Sequence, residues 1–102
     1  MAKKREYKLK DKVFLWPGET ANWHFVGVDK KASEEIRENF GKNAKGFCSI
    51  PVAVTVGKTS WDTSIFPDSK SGQYVLPLKA QVRKKEDIWP DDMLNFTIKI
   101  RM

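Results

Sequence analysis

The clearest pattern along the chain is its last segment, where Leu94, Phe96, Ile98, Ile100 and Met102 alternate with Asn95, Thr97, Lys99 and Arg101. Successive side chains of a strand point to opposite faces, so this period of two predicts a strand with one buried and one wet face. Cys48, Ile50, Val52, Val54 and Val56 form a second inward row, against Phe47, Ser49, Pro51, Ala53 and Thr55. Pro51 has no N–H to give to a neighbour, which predicts an edge or a bulge there. Residues 7–16, 23–28, 61–66 and 73–77 read as further strands, and Lys8, Lys10 and Lys12 share one face of the first.

Two segments switch to helical spacing. In "ASEEIRENFG" (32–41), Ile36 and Phe40 are four apart, Ser33 is the expected N-cap, Glu34 and Glu35 suit the first turn, and Gly41 the stop. In "LKAQVRKKED" (78–87), Leu78 and Val82 repeat that spacing, with basic residues toward the end.

The halves of the chain resemble each other. "WPGETANWHFVGV" (16–28) and "FPDSKSGQYVLPL" (66–78) have equal length and both open on an aromatic residue and proline. His24, Phe25, Val26 and Val28 fall on Tyr74, Val75, Leu76 and Leu78. With about one extra turn in the first helix, Ile36-Arg37 falls on Val82-Arg83, and Cys48, Ile50, Val52 and Val54 fall on Leu94, Phe96, Ile98 and Ile100. The unit is strand, strand, helix, strand, present twice. The expected fold is all-β: a closed or double-split six-stranded barrel with two short capping helices and an internal pseudo-two-fold. Closure removes the exposed edges of a chain dominated by strands.

Within that frame, "TVGKTSW" (55–61) loses its likeness to a phosphate-binding loop. That motif needs a second glycine five places before Gly57, where this chain has Val52 inside a β-branched run. Two strands flank the Gly-Lys pair, so the stretch reads as a hairpin.

Composition narrows the function. The chain has 102 residues and a net charge of +6, suited to one small domain. Residues 1–12 hold Lys3, Lys4, Arg5, Lys8, Lys10 and Lys12 against Glu6 and Asp11, which is +4 of that total. Any attraction for nucleic acid is therefore expected in this segment, with residues 1–6 as a basic arm and 7–102 as the barrel domain. No apolar run approaches the ~20 residues of a membrane helix. One cysteine and no leader-like apolar stretch point to a reducing cytoplasm and to no membrane partner.

"WHFVGV", "IPVAVTVGKTSWDTSIFPD" and "YVLPLKAQVRKKEDI" together resemble the DUF1905 family of small bacterial and archaeal barrel domains, over nearly the whole chain. The resemblance implies a split six-stranded barrel with capping helices and implies no activity, since the family has none assigned. More weakly, "LPLKAQVRKKEDIWPDDMLNFTIKI" resembles the DNA-binding unit of swapped-hairpin transcription regulators and antitoxins. Such units commonly have Gly-Asp in the tight turn before the last strand; this chain has Asp91-Asp92, and aspartate tolerates a left-handed backbone better than most residues.

Candidate chemistry is sparse. One histidine, His24, and one cysteine do not make a metal site, and no metal or cofactor is expected. Cys48 begins an inward row and reads as a small core residue rather than a nucleophile. Four tryptophans serve either packing or an aromatic-lined pocket. The polar-plus-aromatic grouping singled out for a ligand is Trp61, Thr63 and Ser64 beside Lys79 and Arg83, with Trp23 and His24. The expected function is a non-enzymatic binding module for an unknown protein or small molecule, as a monomer or weak homodimer. Nucleic-acid binding through the basic arm and helix 79–85 is the alternative, and a small hydrolase or isomerase the third reading.

Overall fold

The computed structural model describes residues 4–17, 22–43, 48–68 and 70–102. Six strands, β1 (Glu6–Pro17), β2 (Asn22–Gly27), β3 (Ile50–Val56), β4 (Thr59–Pro67), β5 (Tyr74–Pro77) and β6 (Met93–Ile100), close into one antiparallel barrel in the order β1-β2-β5-β4-β3-β6. Helix α1 (Lys30–Phe40) follows β2, and α2 (Ala80–Glu86) follows β5.

The alternating rows fill the interior. Val52, Val54 and Val56 of β3, and Leu94, Phe96, Ile98 and Ile100 of β6, are buried, and Ile36 and Phe40 of α1 and Val82 of α2 join the same core. Pro51 lies one residue outside the β3–β6 ladder, which starts at the Val52–Ile100 pair. Its carbonyl still accepts from Arg101 N at 2.9 Å, so the missing N–H falls where the ladder ends.

Exchanging the two halves leaves the strand order unchanged. With β1, β2 and β3 renamed β4, β5 and β6, the cyclic order reads the same in reverse. The two ladders that join the halves behave alike. Phe25–Pro77 and Gly27–Val75 flank the central Val26–Leu76 pair of β2–β5. Val52–Ile100 and Val54–Ile98 flank Ala53–Lys99 of β3–β6. Backbone bonds outside the ladders obey the same exchange: Val28 N donates to Tyr74 O, and Leu78 N to His24 O, both at 2.9 Å.

Five details depart from the sequence reading. The opening strands are matched two residues away from the expected alignment, because Phe14 pairs Phe25 where Phe66 pairs Val75. Phe66 thus corresponds to Phe14, not Trp16. The strand β1 is also longer: Glu6–Lys12 pairs β6 and Val13–Pro17 pairs β2. Helix α1 starts three residues before Ser33, capped by Asp29, whose Oδ1 accepts from Ala32 N at 2.7 Å. Gly41 keeps right-handed geometry and passes into a short 3-10 turn over Gly41–Asn43 instead of stopping the chain. Cys48 is exposed and has φ 59°, so the inward row begins only at Ile50 and the core role assigned to this thiol is wrong.

Ser33 is instead a buried connector, 1% exposed. Its hydroxyl donates to Val28 O and accepts from Tyr74 N, each at 3.0 Å. Both backbone groups would otherwise be buried without a partner at that point, so one serine joins α1, the end of β2 and β5.

The two tight turns follow their residues. Val56 pairs Thr59, leaving Gly57-Lys58 as a two-residue hairpin turn. Gly57 has φ 57° and leads it, the position at which such turns favour glycine. Asp91, before β6, has φ 72°, so aspartate does adopt the left-handed geometry expected of that turn.

Candidate functional site

A groove of about 530 Å³ lies where α2 meets the β1–β2 pair. Leu15 of β1 and His24 of β2 face each other across the ladder, and Arg83 and Lys84 of α2 and the Asp87–Pro90 segment complete its wall. The end of α2 shapes this wall. Asp87 adopts φ 53° and its N–H caps Arg83 O, and Ile88 N donates to the same carbonyl at 2.9 Å. The chain therefore turns back sharply and presents Trp89.

Trp89 is 64% exposed, yet it is held. Its Nε1 donates to Asp87 Oδ1 at 2.7 Å, and its backbone N donates to Asp92 Oδ2 at 2.9 Å. An exposed indole tethered through its nitrogen leaves its flat face available to a partner.

His24 supplies the other end. Arg83 Nη1 lies 3.4 Å from His24 Nε2, and Arg83 Nε donates to Leu78 O at 3.3 Å. Arginine has no acceptor, so Nε2 must carry the lone pair in this contact, and a neutral His24 then carries its proton on Nδ1. Nδ1 is buried and has no protein partner. Burial, and then the Arg83 charge, hold the His24 pKa below its ordinary value. Near neutral pH His24 is therefore an uncharged member of a groove that also carries Arg83, Lys84 and the Asp87 carboxylate.

Of the residues singled out in the sequence, the structure brings only His24 and Arg83 into this groove. Trp61, Thr63 and Ser64 lie on β4, separated from β2 by β5. Trp61 packs against the core and its buried Nε1 has no partner, Thr63 pairs Val52, and Ser64 pairs Pro51. Lys79 is exposed at the start of α2, and Trp23 is 61% exposed opposite Trp16. Sequence reasoning missed Leu15, Lys84 and Trp89 as wall residues. The signal lay in "EDIWPDD", where a tryptophan sits inside a turn rather than in an alternating row.

The basic segment is less of an arm than its charge suggests. Lys3 lies outside the described residues. Lys4 Nζ sits 4.7 Å from the Tyr7 ring centroid, and Arg5 Cζ 5.7 Å from that of Phe40. Ile100 N donates to Arg5 O at 2.8 Å, so Arg5 is already tied to β6 just before β1 begins at Glu6. Lys8, Lys10 and Lys12 are exposed on the outer face of β1.

Among the described residues no cluster of His, Cys, Asp or Glu could hold a metal ion, and no helix is long and apolar enough to cross a membrane. A search of curated proteins found no match. The family described as a domain of unknown function, DUF1905, matches residues 11–98, and the chain belongs to that family.

Proposed function

We propose that the protein is a non-catalytic binding module that takes a small ligand with a flat apolar body and an anionic group in the groove between α2 and the β1–β2 pair. The observation that carries this reading is that Arg83, held by His24 Nε2 at 3.4 Å and Leu78 O at 3.3 Å, lines an apolar groove with Lys84, while the one carboxylate there, Asp87, already accepts from Trp89 Nε1. A carboxylate or phosphate oxygen would accept from the Arg83 guanidinium, a charge-assisted pairing stronger than a neutral one. Leu15, Ile88, Trp89 and Pro90 supply apolar surface for the body of such a ligand, and Lys84 adds charge. A few polar groups within an apolar wall is the usual composition of a small-molecule site. Cys48 does not line the groove, which removes the nearest thiol as a nucleophile for His24 and weighs against the hydrolase reading.

Titration with benzoate and indole-3-acetate, followed by amide and imidazole NMR shifts, tests the proposal. The expected result is saturable change at His24, Arg83 and Trp89, with neutral benzamide at least tenfold weaker. Arg83→Gln and Lys84→Ala should each weaken the acids and leave benzamide unchanged. Equal affinity for acid and amide, or shifts confined to other surfaces, would overturn it.

A further inference from the structure

The outer face of the β1-β6-β3 sheet carries charge and hydroxyls that the groove does not use. Lys8 is paired with Thr97, Thr97 with Thr55, and Thr55 with Ser60, so one row of polar side chains crosses four strands. Thr55 Oγ1 and Ser60 Oγ are 2.9 Å apart. Lys10 pairs Asn95 in the neighbouring row. Lys8, Lys10, Thr55, Asn95 and Thr97 line a shallow depression of about 470 Å³.

One carboxylate, Glu86, stands beside Gly57 at the rim of this depression and accepts from Thr59 Oγ1 at 2.6 Å. Two further acids lie toward the other end of the face. Glu6 is paired with Lys99, and Asp62 forms an ion pair with Arg101 at 2.9 Å. Among the described residues no carboxylate pairs with Lys8, Lys10 or Lys12. These three lysines stand on alternate residues of one strand, about 7 Å apart. That repeat is close to the spacing of successive phosphates along an extended nucleic-acid backbone. The depression has no exposed aromatic ring on which bases could stack.

We infer that this face binds extended single-stranded nucleic acid through its phosphates, with Lys8, Lys10 and Lys12 as the charged track and Thr55, Asn95 and Thr97 as hydrogen-bonding groups beside it. The site is independent of the groove and reads backbone, not sequence. Single strands lose about 0.7 in log-log salt slope per phosphate contact. Three contacts give a slope of about 2, so affinity falls about 20-fold between roughly 50 and 200 mM salt.

Fluorescence anisotropy with a labelled oligothymidylate tests the inference. Lys8→Gln/Lys10→Gln/Lys12→Gln should abolish most of the binding and most of the salt slope. The control Lys42→Gln/Lys70→Gln/Lys85→Gln removes the same charge from exposed positions on other elements and should retain most of both. Equal loss in the two triples would reduce the effect to net charge and overturn the site. In the unmodified protein, where folding is not in question, the oligonucleotide should shift the amides of Lys8, Lys10, Thr55 and Thr97. No shift at these positions near 50 mM salt, or binding to phosphatidylglycerol vesicles without binding to the oligonucleotide, also overturns it; the lysines would then serve to keep the half-paired strand from adding another.

Discussion

Arg83 Nη1 lies 3.4 Å from His24 Nε2, and this contact joins α2 of the second half to β2 of the first. Its counterpart is Arg37, whose Cζ stands 5.4 Å from the Tyr74 ring centroid and joins α1 of the first half to β5 of the second. Arg37 Nη2 also donates to Gly72 O. Each half therefore places an arginine on a ring of the other half, at positions that the internal repeat already matched. The difference lies in the ring. Tyrosine gives a cation a π face, whereas histidine gives it a nitrogen lone pair and becomes sensitive to pH.

That sensitivity has a definite sign. The folded His24 pKa is lowered, chiefly by burial and then by Arg83, so the unfolded chain binds the proton more readily. The stability contributed by neutral His24 is fully present above the unfolded value, about 6.5. It is lost as pH falls from there through the folded pKa. An imidazole NMR titration should give a midpoint below about 6.5. Urea unfolding should show stability falling over that interval in the unmodified protein and a flatter profile in His24→Asn. A midpoint at or above the ordinary value would show that the burial of His24, the larger cause of the shift, does not persist in solution.

Ser33 is expected to matter more than an N-cap. Ser33→Ala removes the one hydroxyl that serves both Val28 O and Tyr74 N, at a cost of about 1–3 kcal/mol for buried groups left unmatched. Asp29→Ala removes the true cap of α1 and should cost about 0.5–2 kcal/mol. Urea denaturation checks both. A neutral Ser33→Ala would mean that the link between α1 and β5 is dispensable.

These two residues show what was legible in the sequence and what was not. Alternation located β3 and β6 because a period of two is written directly in residue types, and the repeat carried the six-stranded barrel and its pseudo-two-fold with it, though not the strand order. Ser33 looked like a cap because serine before an apolar pair favours helix starts. Its burial depends on Tyr74, 41 residues away, and no local pattern records such a contact. Cys48 looked inward because parity was extended two residues beyond Ile50, where a left-handed residue had already broken it. In the groove, His24 and Arg83 were visible as unusual residue types. That they meet, and that Trp61 stays apart from them, follows from which strand separates β2 and β4.

The face of β6 can be tested by neighbouring residues. Ile98 is fully buried and Lys99 is exposed. Ile98→Ala should cost about 2–5 kcal/mol as a cavity-forming change, and Lys99→Ala less than about 0.5 kcal/mol. Thermal or urea unfolding of the two variants separates them, and comparable losses would show that the strand face is assigned wrongly.

The turn at Gly57 couples two costs that a double mutant can resolve. Gly57→Ala places a Cβ at φ 57°, which disfavours any side chain by about 1–2 kcal/mol. The same Cβ runs into Glu86 Oε1. That carboxylate is not free to swing away without loss, because its Oε2 accepts from Thr59 Oγ1 at 2.6 Å. Glu86→Ala alone should cost about 0.5–1.5 kcal/mol, the worth of that hydrogen bond. In the Glu86→Ala background Gly57→Ala should cost less than in the unmodified protein, because only the backbone term survives. Strictly additive losses in urea denaturation would show that Glu86 gives way at no cost. Calorimetric titration with ATP or GTP and magnesium should give no saturable heat in any of these proteins, since Gly57-Lys58 is a hairpin turn and not a phosphate cradle. A nucleotide-dependent signal abolished by Lys58→Ala would reverse that assignment.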